Sequence, residues 1–518
     1  MSRGYVHLRK ILASVPPSGD GAEIGAHKGG ATRVLREVLQ PASLMLIDPW
    51  INDPLYASRP FACKTTDEEL AAARAALQSE FSDDAAVSFH PDRAESVLTE
   101  QGDQSLDWIY LDGCKYYPEL SGELELALKK LRPDGVLLGA GLTWAKQLGY
   151  PVRAALADIE ARLPEGGQVF HEGDYFLLRP GSDPRLAPRP EKESFLVIST
   201  MKNEAPFILE WVAHYRALGF TDFLIYTNDC DDATVPLLKR LQDRGIVRHE
   251  DNRVLRRGPH KSALKYAQDH VLTAKAAWVL ICDVDEFLNI RTGAMTFPEY
   301  VAALGDDTDV IPFPWQVFGS GGIDAFADAP VTAQFTACQA PPRRGGERMR
   351  AVKSAFRKPE RFKRFGLHRP RVADGSGLVW RAPDGTDISD RMNNGSGWML
   401  PWKRGAGSAY LNHYPLRSIQ AYIVKKQRGR ANHVNEDLDR DYFDRWNLNE
   451  AHDGSIAAFR PAMRAELDKL LADGETCDLH AQGVAQFKAR FEALMAEPRY
   501  RMLYDALRAV AAETPQEN

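Results

Sequence analysis

The sequence is short of cysteine, of long apolar runs and of net charge, and each shortage removes a class of protein. Its six cysteines (Cys63, Cys114, Cys230, Cys282, Cys338, Cys477) are scattered, and none forms a Cys-x-x-Cys pair. Zinc ribbons and thioredoxin-type chemistry therefore find no support, and reduced thiols in a cytoplasm are the simplest expectation. No apolar run reaches the roughly 18–20 residues that a helix needs to cross a bilayer. Met1 to Gly19 carries basic residues but no continuous apolar stretch, so no secretory leader is expected. The expectation is a cytoplasmic chain with no transmembrane segment. Peripheral association with the inner face of a membrane stays open, because a surface patch leaves little trace in one sequence. The formal net charge of -6 gives no general attraction to nucleic acid.

What is present is ordinary globular composition, 44% hydrophobic and 26% charged over 518 residues. At roughly 100–200 residues per domain, two or three domains are expected. The clearest break is Arg179 to Pro190, where prolines stand at Pro180, Pro184, Pro188 and Pro190. Such a stretch sustains neither a helix nor a central strand, and reads as a semi-rigid linker. The division that follows is a domain over 1–179, a linker over 180–193, a second domain over 194–450 and a helical extension over 451–518.

Before the linker, strand-like runs (Ala22–Gly25, Ser43–Asp48, Leu106–Asp112, Gly135–Gly139) alternate with helical ones (Thr32–Leu39, Leu120–Leu131). After it, strands at Phe195–Thr200, Asp222–Thr227 and Ala277–Cys282 alternate with helices at Pro206–Leu218 and Ala233–Arg244. Alternating β and α predicts open, mainly parallel sheets covered on both faces. The region from about Val310 to Gly407 reads as irregular, being rich in Gly, Pro and Arg. Ser455–Leu471 and Ala481–Met495 read as helices.

The chemistry concentrates at Asp283-Val284-Asp285, directly after the apolar run Ala277–Cys282. Side chains at i and i+2 of an extended chain point the same way, so the two carboxylates are expected to converge beyond a strand end. Ligands of open α/β sheets bind at such ends. Paired hard oxygens suit Mg²⁺ or Mn²⁺, and such an ion can neutralise a diphosphate leaving group. An Asp-x-Asp triplet alone is weak, and the chain holds a rival at Asp437-Leu438-Asp439-Arg440-Asp441. That run has no apolar strand before it and no EF-hand glycine, and reads as a solvated acidic loop.

Flanking motifs separate the two. Lys202-Asn203-Glu204 closes the first strand after the linker, and Asn228-Asp229-Cys230-Asp231-Asp232 closes the second. Pro314 to Ser320, Val352-Lys353-Ser354, Asn412-His413-Tyr414, Ser418 and Lys425 to Gly429 follow. This ordered set, over roughly Phe195 to Asn449, resembles the GT-A glycosyltransferases of the family 2 and family 92 type.

The resemblance implies that Glu204 and Asp229 hold base and ribose, with Asn228 and Asp232 beside them. Asp283 and Asp285 would hold the metal and diphosphate, and His413 would be a third metal ligand or a phosphate contact. Lys261, Lys353, Lys425 and Arg428 are candidate phosphate or acceptor contacts, since cations suit a diphosphate. The basic stretch Arg343 to Arg371 is read as a loop bordering an anionic donor or acceptor. The implied reaction is displacement at an anomeric carbon by an acceptor hydroxyl, with inversion. Asp324 and Asp444 are the candidates for the base that takes its proton.

In the first domain, Ala22-Glu23-Ile24-Gly25 through Gly29-Gly30, then Asp48, then Asp107 to Gly113, resemble class I S-adenosylmethionine methyltransferases over about Gly19 to Arg179. The resemblance implies a Rossmann-like fold with Glu23, Gly25, Gly29, Asp48 and Asp112 at the cofactor. It departs from the sugar O-methyltransferase pattern, however. Asp112-Gly113-Cys114-Lys115-Tyr116-Tyr117 stands where Asp-Gly-Asp-His-Ser-Tyr is usual, and Gly139-Ala140-Gly141 where Gly-Asp-Asp is usual. The domain therefore binds S-adenosylmethionine without transferring methyl, or serves as a scaffold that positions an acceptor, or retains the transfer.

The overall expectation is an α/β chain: a Rossmann-like methyltransferase fold, then a GT-A fold with a helical extension. Its function would be metal-dependent transfer from a nucleotide sugar to a glycan in polysaccharide assembly. The alternatives are a bifunctional enzyme that methylates and glycosylates one glycan, and a non-catalytic nucleotide- or glycan-binding protein.

Overall fold

The computed structural model describes residues 5–181, 185–189, 194–292, 296–341, 347–357, 359–372, 377–394, 399–403, 408–428 and 439–513. Asp437, Gly429, the linker positions Ser182 to Pro184 and Pro190, and Arg343 and Arg344 of the basic stretch lie outside the described residues. The chain divides into two compact units, Met1–Glu191 with Asp269–Ala274, and Lys192–Gln268 with Lys275–Asn518. Among the described residues no helix is long and apolar enough to cross a membrane.

The first unit runs α1 (Val6–Leu12), β1 (Asp20–Ile24), α2 (Gly30–Leu39), β2 (Ser43–Ile47), α3 (Asp67–Glu80), β3 (Val87–His90) and α4 (Ala94–Glu100). It continues with β4 (Leu106–Leu111), α5 (Tyr117–Lys130), β5 (Leu131–Ala140), α6 (Pro151–Glu160), β6 (Gln168–Glu172) and β7 (Tyr175–Arg179). Its sheet has the order β3-β2-β1-β4-β5-β7-β6. β1 to β5 are parallel, and the β6–β7 hairpin adds antiparallel strands at one edge. Apolar clusters cover both faces, one around Ile109, Leu124 and Leu156 and the other around Leu35, Leu46 and Trp108. This is the doubly wound, Rossmann-like arrangement.

The second unit opens with β8 (Phe195–Met201), α7 (Ile208–Ala217), β9 (Asp222–Thr227), α8 (Thr234–Asp243), β10 (Arg248–Asp251) and α9 (Pro259–Gln268); α10 (Val271–Lys275) follows in the chain but falls, up to Ala274, in the first unit, and the second resumes with β11 (Trp278–Ile281) and β12 (Glu286–Ile290). Next come α11 (Phe297–Leu304), β13 (Val310–Val317), α12 (Val331–Gln334), β14 (Ala337–Cys338), β15 (Glu347–Arg357), β16 (Phe362–Arg364), β17 (Arg371–Val372), α13 (Ser389–Asn394), β18 (Met399–Lys403) and β19 (Ala409–His413). It closes with α14 (Ile419–Arg428), α15 (Arg440–Trp446), β20 (Ala451–His452), α16 (Arg460–Leu471), α17 (Gly474–Met495) and α18 (Pro498–Glu513). The sheet order is β10-β9-β8-β11-β15-β13-β19-β12, with β18 paired to β15. Every residue of β8 and β11 is buried, as expected of interior strands whose residues are apolar except Ser199 and Thr200.

The stretch read as irregular supplies β13, β15 and β18 to this sheet. Pro312 and Pro314 masked β13, because proline cannot donate to a ladder. Val310 exchanges its N–H and C=O with the 379–381 segment, on the side away from β15. Strand alternation puts Pro312 and Pro314 on that same side. Only the residues between them need to bond β15, so both prolines are tolerated in an interior strand.

α7 shows how this unit anchors its connections. Glu210, 7% exposed, accepts hydrogen bonds from the N–H groups of Val331 (2.6 Å) and Thr332 (3.0 Å) and from the Thr332 hydroxyl (2.8 Å). Glu210→Ala strands three buried donors, and is expected to cost about 2–4 kcal/mol in denaturant unfolding of the full chain.

Candidate functional site

β11 lies between parallel β8 and antiparallel β15. Its chain does not continue extended through the acidic triplet. Asp283 O accepts from Glu286 N at 3.1 Å, so Asp283 to Glu286 form a turn that leads straight into β12. The turn, rather than the two-residue alternation of a strand, sets the direction of each carboxylate.

Different elements then reach each acid. β15 brings Lys353, 1% exposed, whose Nζ lies 3.0 Å from Asp283 Oδ2 and 3.5 Å from Glu286 Oε2. α9 brings His260 Nε2 to 3.1 Å from Asp283 Oδ1. α7 fixes the backbone through Trp211 Nε1, which donates to Asp283 O at 3.1 Å. α14 brings Lys425 Nζ to 2.9 Å from Asp285 Oδ2. β19 pairs with β12 so that His413 stands opposite Glu286, and His413 Nε2 is 3.8 Å from Asp285 Oδ1. The Trp315 ring of β13 packs on His413 with centroids 4.3 Å apart.

The charges set each other. Burial raises the Asp283 carboxyl, but Lys353 and then His260 hold it well below its ordinary value. Burial likewise raises Asp285, and Lys425, His413 and Arg417 overcome it, so this group too is held below the carboxylate range. Glu286 is raised well above its ordinary value by burial, against the pull of Lys353. Burial drives His413 down to about 4, so its imidazole is neutral at ordinary pH.

A second cluster adjoins the first. Glu204 pairs with Arg417 Nη1 at 3.1 Å and with Arg428. Arg417 holds a left-handed φ of 60°, stacks over the Phe207 ring at 3.5 Å and reaches Val284 O at 3.5 Å. A small pit is lined by Glu204, Phe207, Arg417, Lys425, Arg428 and Phe487.

The remaining sequence candidates divide. Asn228 donates to Asp229 Oδ2 at 3.0 Å, and Asp229 is exposed at φ 50° beyond β9. Asp232 accepts from Thr234 N (2.9 Å) and Ala205 N (3.4 Å), which makes it a tie between loops. Lys261 is exposed on α9, and its neighbour His260 is the one that meets Asp283. Asp324 pairs with Arg508 at 2.9 Å and Tyr504 at 3.1 Å. Asp444 pairs with Arg440 at 3.3 Å on α15. The partners of Asp324 and Asp444 thus lie on α18 and α15, not at Asp283, Asp285 or His413. Arg417, His260 and Trp211 were missed in the sequence. The only signal for Arg417 was its position three residues after Tyr414.

Asp283 and Asp285 are ionised and His413 is a neutral imidazole whose Nδ1 has no hydrogen bond, donor types that suit Mn²⁺ or Mg²⁺. Among the described residues, however, no group of three or more His, Cys, Asp and Glu side chains is placed to hold a metal ion. Such ions commonly complete their shell with substrate phosphates instead of a full protein cage.

In the first unit, Asp48 follows β2 and accepts from His27 N (2.9 Å) and Trp50 N (2.6 Å). Gly25 has φ 88°, and a Cβ there would stand 2.6 Å from Asp112 O. Gly25 is thus required for the β1 and β4 ends to touch. Gly29 caps α2 at φ 75°. Asp112 pairs with Lys115, which stands where the resembled pattern has His. Glu23 is fully buried, and burial pushes it up to about 8.

Residues 194–374 match the family model Glycosyltransferase family 92. Residues 22–139 match the model Methyltransferase domain. The chain therefore carries one segment similar to methyltransferase domains and one similar to family 92 glycosyltransferases. A Glycosyltransferase family 92 protein of Ricinus communis is 32% identical over 127 residues, covering 23% of this chain and 22% of that protein. The chain thus spans about a fifth of the length of the curated relative it matches. Among solved structures, a Corynebacterium glutamicum protein overlaps 35% of this chain and 82% of its own at 19% identity and TM-score 0.26. Spermidine synthase of Thermotoga maritima overlaps 34% and 57% at 17% identity and TM-score 0.25. An O-methyltransferase family protein of Burkholderia thailandensis overlaps 35% and 57% at 13% identity and TM-score 0.24.

Glu23 gives a pH test. Its folded value of about 8 stands above the ordinary 4.5, so the folded state keeps a proton that the unfolded state releases. Stability from this group is full below about pH 4.5 and is lost as pH rises to about 8. The loss is on the order of 4 kcal/mol. Glu23→Gln should flatten the fall in denaturant midpoint across that window.

Proposed function

We propose that the second unit transfers a sugar from a nucleoside-diphosphate sugar to a glycan or polysaccharide acceptor, inverting the anomeric centre. The observation that carries this reading is the interleaving of buried acids and cations after β11. Asp283 and Asp285 each hold a lysine, while Arg417 and Arg428 share Glu204. A Mn²⁺ or Mg²⁺ held by Asp283, Asp285 and His413 would neutralise the departing diphosphate. Lys353 keeps Asp283 ionised, and Lys425 does the same for Asp285. Lys425 and Arg428, both on α14, are then at hand for phosphate oxygens. Glu204, Asn228, Asp229 and Asp232, beyond β8 and β9, take the nucleoside, and Lys261 borders them. The acceptor hydroxyl loses its proton to a carboxylate. Of Asp324 and Asp444, Asp444 is the stronger candidate, because α15 also carries Trp446, whose ring lies 5.8 Å from that of His413.

Asp283→Ala together with Asp285→Ala should lower sugar transfer and donor hydrolysis by at least about 100-fold. Chelation should abolish both activities, and added Mn²⁺ should restore them. Unchanged turnover in the double variant would end this reading.

A second reading concerns the first unit. Asp48, at the end of β2 beside the glycine turn, has lone pairs left for ribose hydroxyls after accepting its two backbone N–H groups. Calorimetric titration of the full chain with S-adenosylmethionine should give heat that Asp48→Ala removes. Absence of heat in the unsubstituted chain would leave this unit as a scaffold that positions an acceptor.

A further inference from the structure

Helix α17 lies outside residues 194–374 and beyond the motifs through Asn449 that carry the family resemblance. Yet it touches both loops that close the first two strands of the second unit. Gly483 packs on the loop after β8 so tightly that a Cβ there would stand 2.5 Å from Ala205 Cβ. One turn further on, Gln486 Oε1 accepts from Ala233 N at 2.8 Å, at the end of the loop after β9. Arg490 pairs with Asp231 in that same loop at 2.9 Å. Phe487, between these two, packs edge-on against Phe207 with centroids 5.8 Å apart. On the Phe207 ring rests the guanidinium of Arg417, the partner of Glu204.

The two loops are also tied to each other. Asn203 Nδ2 donates to Asp231 Oδ1 at 2.5 Å, and Asp231 N donates to Asn203 Oδ1 at 2.9 Å. Asn203 and Asp229 both hold left-handed backbone, at φ 52° and 50°. Non-glycine residues adopt that region at a cost, and keep it only where their surroundings hold them. α17 supplies part of that hold, through Arg490 on Asp231 and Gln486 on Ala233.

We propose that α17 is a positioning element for nucleotide binding: Gln486, Phe487 and Arg490 clamp the Asn203–Phe207 and Asn228–Ala233 loops in the conformation that receives the nucleoside. This inference rests on the nucleotide-sugar reading above. It assigns to the helical extension a part in donor affinity, and none in the chemical step.

The experiment uses the full chain and measures binding of UDP, GDP and ADP with Mn²⁺ by calorimetry, then donor KM and kcat for the nucleotide that binds. Combining Gln486→Ala with Arg490→Ala should raise nucleotide Kd and donor KM about tenfold, with kcat at saturating donor within about twofold of the parent. Arg490→Lys should recover most of the affinity. Arg490→Ala alone should leave the unfolding midpoint nearly unchanged, because Arg490 and Asp231 are partly exposed, and it should still raise Kd and KM. If the parent binds nucleotide and the double variant binds it equally well, the clamp is refuted while the sugar-transfer reading stands. An equal fall in kcat and kcat/KM would also refute it. If the parent binds none of the three nucleotides, the nucleotide reading fails and the clamp falls with it.

Discussion

The second unit depends on two buried ion pairs that face each other across a turn. Asp283 and Asp285 are two residues apart, Asp285 buried and Asp283 partly buried. Such carboxylates would repel each other and take up protons without compensation. Lys353 and Lys425 supply it from opposite directions, one from an interior strand and one from a helix. Removing one partner of such a pair costs far more than replacing both with apolar groups. The arrangement is therefore a poor way to gain stability and a good way to keep two ionised acids fixed. Glu286 extends it, since it receives the Asp283 N–H at 2.7 Å and shares Lys353.

The sequence made the skeleton of this site legible and left its counter-charges partly hidden. An apolar run followed by acids is a local pattern, and β11 with its triplet could be read from it. Lys353, Lys425 and His413 were recoverable only because they sit in ordered motifs. His260 and Arg417 were not, because a partner distant in the chain decides whether a cation lies on the surface or against an acid. Lys261 and His260 illustrate this. They are adjacent on α9, and helix rotation sends one to solvent and the other to Asp283. β13 was hidden for a different reason. Its prolines break the usual strand signal, and only the sheet reveals that they face the side where no ladder bond is needed.

The two units treat their acids in opposite ways. In the first, Glu23 is buried and raised to about 8 by burial, while Asp112 is held by Lys115, which stands where the resembled pattern has His. In the second, Glu204, Asp283 and Asp285 each have a cation placed against them. The first unit thus keeps a Rossmann-like shape, and the second keeps alternating acids and cations after β11.

The order of the strands has a consequence for how the protein is made. β12 lies at the sheet edge, and its ladder partner is β19. On a ribosome, Phe287, Leu288 and Ile290 emerge long before that partner, and Asp285 waits for Lys425, 140 residues later. At translation speeds of roughly 5–20 residues per second, the gap is on the order of ten seconds. Throughout it the nascent chain carries an apolar strand with no ladder beside it and an acid without its counter-charge. Such an intermediate invites chaperone binding, and a chain released early from the ribosome would carry the acidic triplet with no working site around it.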